Sequence, residues 1–202
     1  MEVTDIHIAP LTPGRWPDLV DLFGPDRGAN SGCWCLWPLL RAKDWQVLSR
    51  EQRKAGLRQR VEAGPAPGLL AYADGQPVGW VAVGPRAGYV RFQLSRTSKP
   101  LDKDLEDGPQ TPFAITCFYI RAGWRKSGLM GVLGEAAVTH ARQAGADAVD
   151  ACPIDPEKPL QWGEGFVGMA SVFRTLGFEE IARRSPRRPL MRLWLDQTQK
   201  EA

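Results

Sequence analysis

A buried strand that leads into a basic, glycine-containing turn and then into a helix constrains this chain more than any other feature. FAITCFYI, residues 113–120, is apolar on both faces, is rich in β-branched and aromatic side chains, and follows a proline. Such a run predicts a strand that is covered on both sides. Helical spacing extends from Leu129 to Ala144, and Gly145 stands where a helix C-terminus favours glycine. This strand–turn–helix unit indicates a layered α/β architecture.

The surrounding sequence predicts further strands and helices. Alternating apolar residues before Pro10 predict a first strand, and Ser49 with Gln52 forms a capping-box pattern at the start of a helix. Asp74-Gly75 predicts a tight turn between two strands. A helix that ends at Gly177 and two closing strands complete the order, while the polar segment 98–112 is expected to be a surface loop. The sheet is therefore expected to be part antiparallel and part parallel.

Composition narrows the classes of protein to be considered. The 202 residues, 43% hydrophobic and 24% charged, are ordinary for a soluble globular domain, and we expect one domain over 1–202 because no linker or repeat divides the chain. A net charge of +3 is too small to indicate nucleic acid. The four cysteines fit no disulfide framework, the N-terminus lacks the pattern of a secretion signal, and no run is long enough to span a bilayer. We therefore expect a cytoplasmic protein without a membrane partner.

The turn from Arg125 to Gly131 is the strongest candidate for a binding site. The first N–H groups of a helix have no acceptor within the helix, so an anion gains from them and from the helix dipole. Gly128 and Gly131 allow a close approach of ligand and backbone, and Arg125 and Lys126 offset negative charge. A diphosphate fits this pattern, although the turn is neither a Walker motif nor GxGxxG. The alternative is that Gly128 only eases a crowded junction and that the basic pair is solvated.

In its order of elements and in this turn, the chain resembles the GNAT-type N-acetyltransferase superfamily. The family motif R/Q-x-x-G-x-G/A, whose amides hold the diphosphate of coenzyme A, is matched by Arg125-x-x-Gly128-x-Met130, with a long side chain at the last position. The resemblance implies an α/β fold of mixed α+β character, with a central sheet of about six to seven strands and helices on both faces. It also implies acetyl-CoA as acyl donor. The residues that it assigns to the cofactor are Phe118, Tyr119, Ile120, Arg125, Lys126, Ser127, Gly128, Leu129, Met130 and Gly131.

The resemblance implies that a primary amine, on an unidentified small molecule or protein, attacks the thioester directly. Many relatives have a tyrosine that protonates the leaving thiolate where this chain has Phe173, within FRTLGF. Phenylalanine cannot donate a proton, so a thiol, Tyr119 or a water would have to serve, or the thiolate leaves unassisted. Two alternatives therefore stay open: a coenzyme A-binding protein with little or no turnover, and a non-enzymatic basic interaction module.

No general base can be chosen from the sequence. Asp150, Asp155, Glu164 and the four acids between Asp102 and Asp107 are each expected to be solvated. His140 lies on the apolar stripe of its helix, where a hydrogen-bonded core histidine is the commoner outcome. The catalytic residues are thus left unassigned.

Two further clusters have more than one interpretation. Trp34 and Trp37, in SGCWCLWPL, are either core side chains beneath a loop or an aromatic wall for the acceptor. The neighbouring cysteines lack the additional ligands that a metal needs, so no metal is expected. The five arginines between Arg183 and Arg192 are expected to be exposed arms of a hairpin that turns at Ser185-Pro186. The alternative is that they attract an acidic substrate or nucleic acid, although no interleaved aromatic residues form a stacking platform. A homodimer is left open.

Overall fold

A computed structural model describes residues 5–24, 28–161 and 163–195. Seven strands form one sheet in the order β1-β2-β3-β4-β5-β7-β6, in which only the β4–β5 pair is parallel. The strands are β1 Ile6–Pro10, β2 Gly68–Ala73, β3 Gln76–Pro85, β4 Phe113–Ile120, β5 Ala148–Ala151, β6 Glu179–Arg183 and β7 Pro189–Trp194. The helices are α1 Trp16–Phe23, α2 Ala42–Gln46, α3 Arg50–Ala63, α4 Val90–Leu94, α5 Asp104–Asp107, α6 Leu129–Gln143 and α7 Ala170–Thr175.

Local sequence signals account for several boundaries. Ser49 Oγ accepts a hydrogen bond from the Gln52 amide at 3.2 Å, and Gln52 Oε1 accepts one from the Ser49 amide at 2.7 Å, so the capping box at the start of α3 is confirmed. Asp74 and Gly75 have φ angles of 49° and 76°, the left-handed conformations that a tight hairpin turn requires. The segment Val90–Leu94 forms the short helix α4.

The sheet lies between two apolar layers, which confirms helices on both faces. On one face α6 and α7 contribute Leu133 and Phe173 to a cluster with Phe118 of β4. On the other face Trp34 and the side chains of α1, α3 and α4 cover Trp80 of β3. Because β3 and β4 have a helix layer on both sides, their side chains can be apolar in both directions, as the sequence of 113–120 indicates.

The pairing of β4 with β5 stops half-way along β4. Residues 113–115 pair with 149–151, and β5 then ends at Ala151 while β4 continues to Ile120. At the same place β4 has a bulge, because Ile115 pairs with Val83 of β3 and Cys117 pairs with Ala82, which leaves Thr116 without a partner in β3. From residue 116 to residue 120, no described strand therefore pairs with the edge of β4 that faces away from β3, and this unpaired stretch is the open edge of β4. The segment Glu164–Val167 lies close to it, with the Phe166 ring 6.0 Å from that of Tyr119.

The prediction of exposed arginine arms is wrong for four of the five arginines of the β6–β7 hairpin, because Arg184, Arg187 and Arg188 are half-buried and Arg192 is buried. Arg183 is exposed as expected, and the turn itself lies at Ser185-Pro186. Each arginine is held by a nearby acceptor, because these side chains cover loops that carry free carbonyl and carboxylate groups. Arg183 binds Glu180 and Asp155, Arg184 binds the carbonyls of Lys99 and Pro100, Arg187 binds Glu164, Arg188 binds the carbonyls of Cys152 and Pro153, and Arg192 binds Asp150 and Asp104.

A buried ion-pair network joins the last strands to the segment 98–112. Asp150 of β5 is 0% exposed and pairs with Arg86 and with Arg192, whose Nε lies 2.7 Å from Asp150 Oδ1. Arg192 Nη1 also lies 2.8 Å from Asp104 Oδ1. The expectation that Asp104 and Asp150 are solvated is therefore wrong. Buried charges persist when they are paired and hydrogen-bonded, as both carboxylates are here.

Candidate functional site

The turn before α6 has an open, amide-lined mouth. Gly128 is the N-cap with φ 85°, and Lys126 is also left-handed with φ 63°. The amides of residues 126–130 donate no hydrogen bond to another described residue, whereas the Gly131 amide donates to the Gly128 carbonyl at 2.8 Å. A Cβ added at Gly128 or Gly131 would meet nothing within 4 Å. Consecutive free donors beside open space, at the positive end of a 15-residue helix, fit an anionic ligand.

Side chains of the turn fix its shape and leave this mouth accessible. Arg125 Nε donates to the Ile120 carbonyl at 3.2 Å, which ties the end of β4 to the turn, and Ser127 Oγ donates to the Trp124 carbonyl at 2.7 Å. Lys126 is exposed. Met130, the departure from the family motif, is half-buried and packs against the core beneath α6. Its long side chain is thus accommodated by the core layer.

The open edge of β4 connects this turn with a second feature, a cavity of about 140 Å³ on the other face of the sheet. Ile115 and Thr116 line it at the point where β4 leaves β5, and Cys152 lines it just after β5 ends. Trp37 and Arg91 form its outer wall. A ligand that lies along the open edge of β4 and a second ligand in this cavity would therefore approach each other at the β4–β5 split.

The two tryptophans predicted for the acceptor are placed differently. Trp34 is 1% exposed and packs between Trp16, at 6.0 Å, and Phe23, at 5.7 Å between ring centroids. It follows the core alternative and does not face a cavity. Trp37 is 42% exposed, and it lines the cavity at the split. Two other cavities, of about 240 and 470 Å³, lie under α3 and beside the start of β1.

Solved acetyltransferase structures share this architecture. Polyamine N-acetyltransferase of Drosophila melanogaster superposes with a TM-score of 0.59 at 14% identity, over 95% of this chain and 100% of that one. PaiA N-acetyltransferase of Thermoplasma acidophilum, in complex with coenzyme A, gives a TM-score of 0.51 at 12% identity, over 95% and 99%. An acetyltransferase of the GNAT family from Streptococcus pneumoniae gives 0.51 at 14% identity, over 95% and 100%. No family model and no curated protein matches the sequence.

The chain has the GNAT fold. Identities below 15% establish the architecture alone, so the site has to be judged on the residues of this chain. Phe173, which the sequence resemblance places at the position of the family tyrosine, is 0% exposed. Its ring lies 6.0 Å from that of Phe118 and 4.9 Å from that of Phe178, and a Cβ added at Gly168 would come within 2.7 Å of it. An apolar wall therefore stands beside the open half of β4.

Thiols near the split are protonated rather than activated. Cys35 Sγ and Cys117 Sγ lie 3.5 Å apart, and this hydrogen bond together with burial raises the pKa of Cys35 well above its usual value. Burial raises the pKa of Cys33 to about 12 and also raises that of Cys152. A protonated thiol can donate a proton but is a poor nucleophile. The imidazole of His140 in α6 is half-buried and makes no hydrogen bond with a described residue, so the expectation of a hydrogen-bonded core histidine is wrong. Burial lowers the pKa of His140.

The acids that the sequence offers as bases are held by arginines. The hydrogen bond from Arg174, followed by that from Arg183, lowers the pKa of Asp155, and the hydrogen bond from Arg187 lowers the pKa of Glu164. The expectation that these two carboxylates are merely solvated is therefore wrong. A carboxylate with a lowered pKa is a weak base, and no carboxylate of a described residue lines the cavity at the split.

Among the described residues no group of three or more His, Cys, Asp or Glu side chains is placed to hold a metal.

Sequence analysis missed Arg91, Thr116 and Arg188 as site residues. They lie in a short helix, at a strand bulge and in a hairpin, and they meet only because α4 and the β6–β7 hairpin pack at the β4–β5 split. No spacing in the sequence connects them.

No helix within the described ranges is long and apolar enough to cross a bilayer.

Proposed function

We propose that this chain is an acetyl-CoA-dependent N-acetyltransferase that modifies a primary amine. The observation that carries the proposal is the open, amide-lined turn before α6, together with the second half of β4, which pairs with β3 but not with β5. The amides of residues 126–130 would bind the diphosphate of coenzyme A, and Arg125 and Lys126 would offset its charge. The open edge of β4, from Thr116 to Ile120, would bind the pantetheine arm through main-chain groups, in agreement with the assignment of Phe118, Tyr119 and Ile120 by resemblance.

The chemistry requires little from side chains. Acetyl-CoA supplies an activated acetyl group as a thioester. In a strand paired on one side, alternate N–H groups point away from the partner, so β4 offers free donors that can polarise a carbonyl at the split. The cavity lined by Thr116 and Cys152 positions the acceptor amine on the opposite side of this edge. Protonated thiols and Tyr119 are the described proton donors that lie near the split.

Calorimetry with acetyl-CoA tests the proposal directly. We expect a dissociation constant in the micromolar range, which corresponds to roughly 8 kcal/mol and is within reach of several charge-assisted hydrogen bonds. Thiol release in the presence of a panel of primary amines then reports transfer. A protein that binds no acetyl-CoA at a few hundred micromolar would refute the proposal.

Phe173 favours a second candidate, a coenzyme A-binding protein with little turnover, because the position carries no proton donor. Binding of acetyl-CoA without thiol release across the amine panel would support this candidate. The third alternative, a basic interaction module, has less free positive charge available, because Arg183, Arg187 and Arg192 of the hairpin are paired with carboxylates. Absence of acetyl-CoA binding would favour it.

A further inference from the structure

The cavity at the β4–β5 split has a cationic wall that no internal carboxylate neutralises. Arg91 stacks on Trp37, with its guanidinium carbon 3.5 Å from the ring centroid, and its Nε donates to the Trp37 carbonyl at 2.9 Å. These contacts fix the orientation of the guanidinium. Arg91 Nη2 is buried and has no hydrogen-bond partner, and Arg91 forms no ion pair with a described carboxylate. A buried guanidinium nitrogen without an acceptor is costly, and its uncompensated charge acts on the adjoining cavity, which Arg91 lines.

A second arginine adds to the same charge. Arg188 also lines the cavity, and its Nη2 donates to the Cys152 carbonyl at 2.6 Å while Nε donates to the Pro153 carbonyl at 3.2 Å. Carbonyl oxygens orient a guanidinium without cancelling its charge. The nearby Glu164 carboxylate is occupied by Arg187, with both of its oxygens 2.9 Å from guanidinium nitrogens. The cavity thus has two cations on its wall and no anion.

We infer that the acceptor amine carries a carboxylate group, which the guanidinium group of Arg91 binds while the amine points toward Thr116 at the split. The inference rests on the proposed function and adds a substrate class to it. A planar carboxylate matches the fixed fork of an arginine. A polycationic acceptor would be repelled, so we expect this chain to differ from the polyamine acetyltransferase whose fold it shares. The volume of about 140 Å³ is small beside the roughly 300–1,000 Å³ of typical ligand pockets, which favours an acceptor of amino-acid size.

Matched pairs of acceptors test this inference. We compare glycine with glycinamide and β-alanine with β-alaninamide, and we include putrescine as a diamine. The readout is acetyl-CoA-dependent thiol release, with kcat/KM corrected for the fraction of each amine that is neutral. Diglycine and its amide show whether a peptide carboxylate serves as well as a free amino acid. We expect the acids to exceed their amides by about 10- to 100-fold, the range of one or two charge-assisted hydrogen bonds.

Arg91→Ala should bring the acid-to-amide ratio close to one while the dissociation constant of acetyl-CoA stays unchanged. Arg96→Ala is the matched control, because Arg96 follows the same helix, carries the same charge, and donates to the Arg184 carbonyl at the surface. It should keep the full ratio. If Arg91→Ala does not fold, Arg91→Lys keeps the charge but loses the fork, and it should reduce the ratio by about tenfold.

If the amides or putrescine are acetylated as efficiently as the acids, and acetyl-CoA binding is intact, this inference is overturned while the proposed function stands. Loss of acetyl-CoA binding itself would overturn the proposed function instead. If acetyl-CoA binds but no amine is acetylated, binding of glycine to the coenzyme A complex is measured by saturation-transfer NMR. A signal that is absent, or equal in the wild type and in Arg91→Ala, contradicts the inference, while a signal lost only in Arg91→Ala supports it.

Discussion

Phe173 distinguishes an efficient transferase from a protein that mainly binds coenzyme A. It lies in the α7 wall, fully buried, beside Phe118 of β4. We expect Phe173→Tyr to raise kcat for thiol release by about tenfold, because a phenol placed here can protonate the leaving thiolate, and well-placed general acids give roughly 10²–10⁴. The added hydroxyl should also lower the free energy of unfolding by about 1–3 kcal/mol if it lacks a partner.

Phe178→Tyr is the matched control for this change. Its ring is 4.9 Å from that of Phe173 and is equally apolar in its surroundings, so the same chemical change should affect stability without raising kcat. Stopped-flow detection of thiol release and thermal unfolding measure the two effects separately. An unchanged kcat in a folded Phe173→Tyr protein would mean that the thiolate leaves without assistance.

Gly128 is the residue whose substitution tests the proposed diphosphate binding most directly. We expect Gly128→Asp to weaken acetyl-CoA binding by more than about tenfold, because the carboxylate is placed at the mouth that the amides offer to an anion and φ 85° is unfavourable for a side chain. Gly75→Asp is the control: it has φ 76°, equally open space, and a place in the β2–β3 turn. Calorimetry should show unchanged binding for the control. Equal dissociation constants in both variants would count against the phosphate assignment.

The elements predicted most reliably from sequence are those whose signals are local. The capping box at Ser49, the turn at Asp74-Gly75 and the strand–turn–helix unit around Gly128 each need only a few consecutive residues. The acceptor cavity could not be predicted in the same way, because its wall combines α4, the β4 bulge and the β6–β7 hairpin. The same limit applies to the buried carboxylates, since Asp104 in a polar segment becomes buried only when α5 packs against Arg192 of β7.

This packing of α5 on β7 predicts how stability depends on pH. The hydrogen bond from Arg192 lowers the pKa of Asp104 in the folded protein. A lowered folded pKa means that the stabilisation is present above the unfolded pKa, about 3.9, and is lost as the pH falls through the folded value. We expect Asp104→Asn to lower the free energy of unfolding by about 3 kcal/mol at pH 7 and to flatten its decline below pH 4.

Asp102→Asn is the control for this prediction, because Asp102 is an exposed acid of the same segment. Urea unfolding at a series of pH values should give the wild-type curve for Asp102→Asn. A wild-type curve for Asp104→Asn as well would show that the Arg192–Asp104 pair adds nothing to stability.

In the whole molecule, the open turn, the free edge of β4 and the cavity proposed to bind the acceptor converge on the β4–β5 split, yet no described carboxylate there is available as a base. The amine must then reach the site already neutral, so kcat/KM should rise tenfold per pH unit up to the pKa of the acceptor's own amine. The amine of diglycine is more acidic than that of glycine, so the kcat/KM values for the two acceptors should level off at different pH values. A common inflection for both acceptors would instead reveal a protein base, because a group of the enzyme titrates at one pH whichever amine is bound.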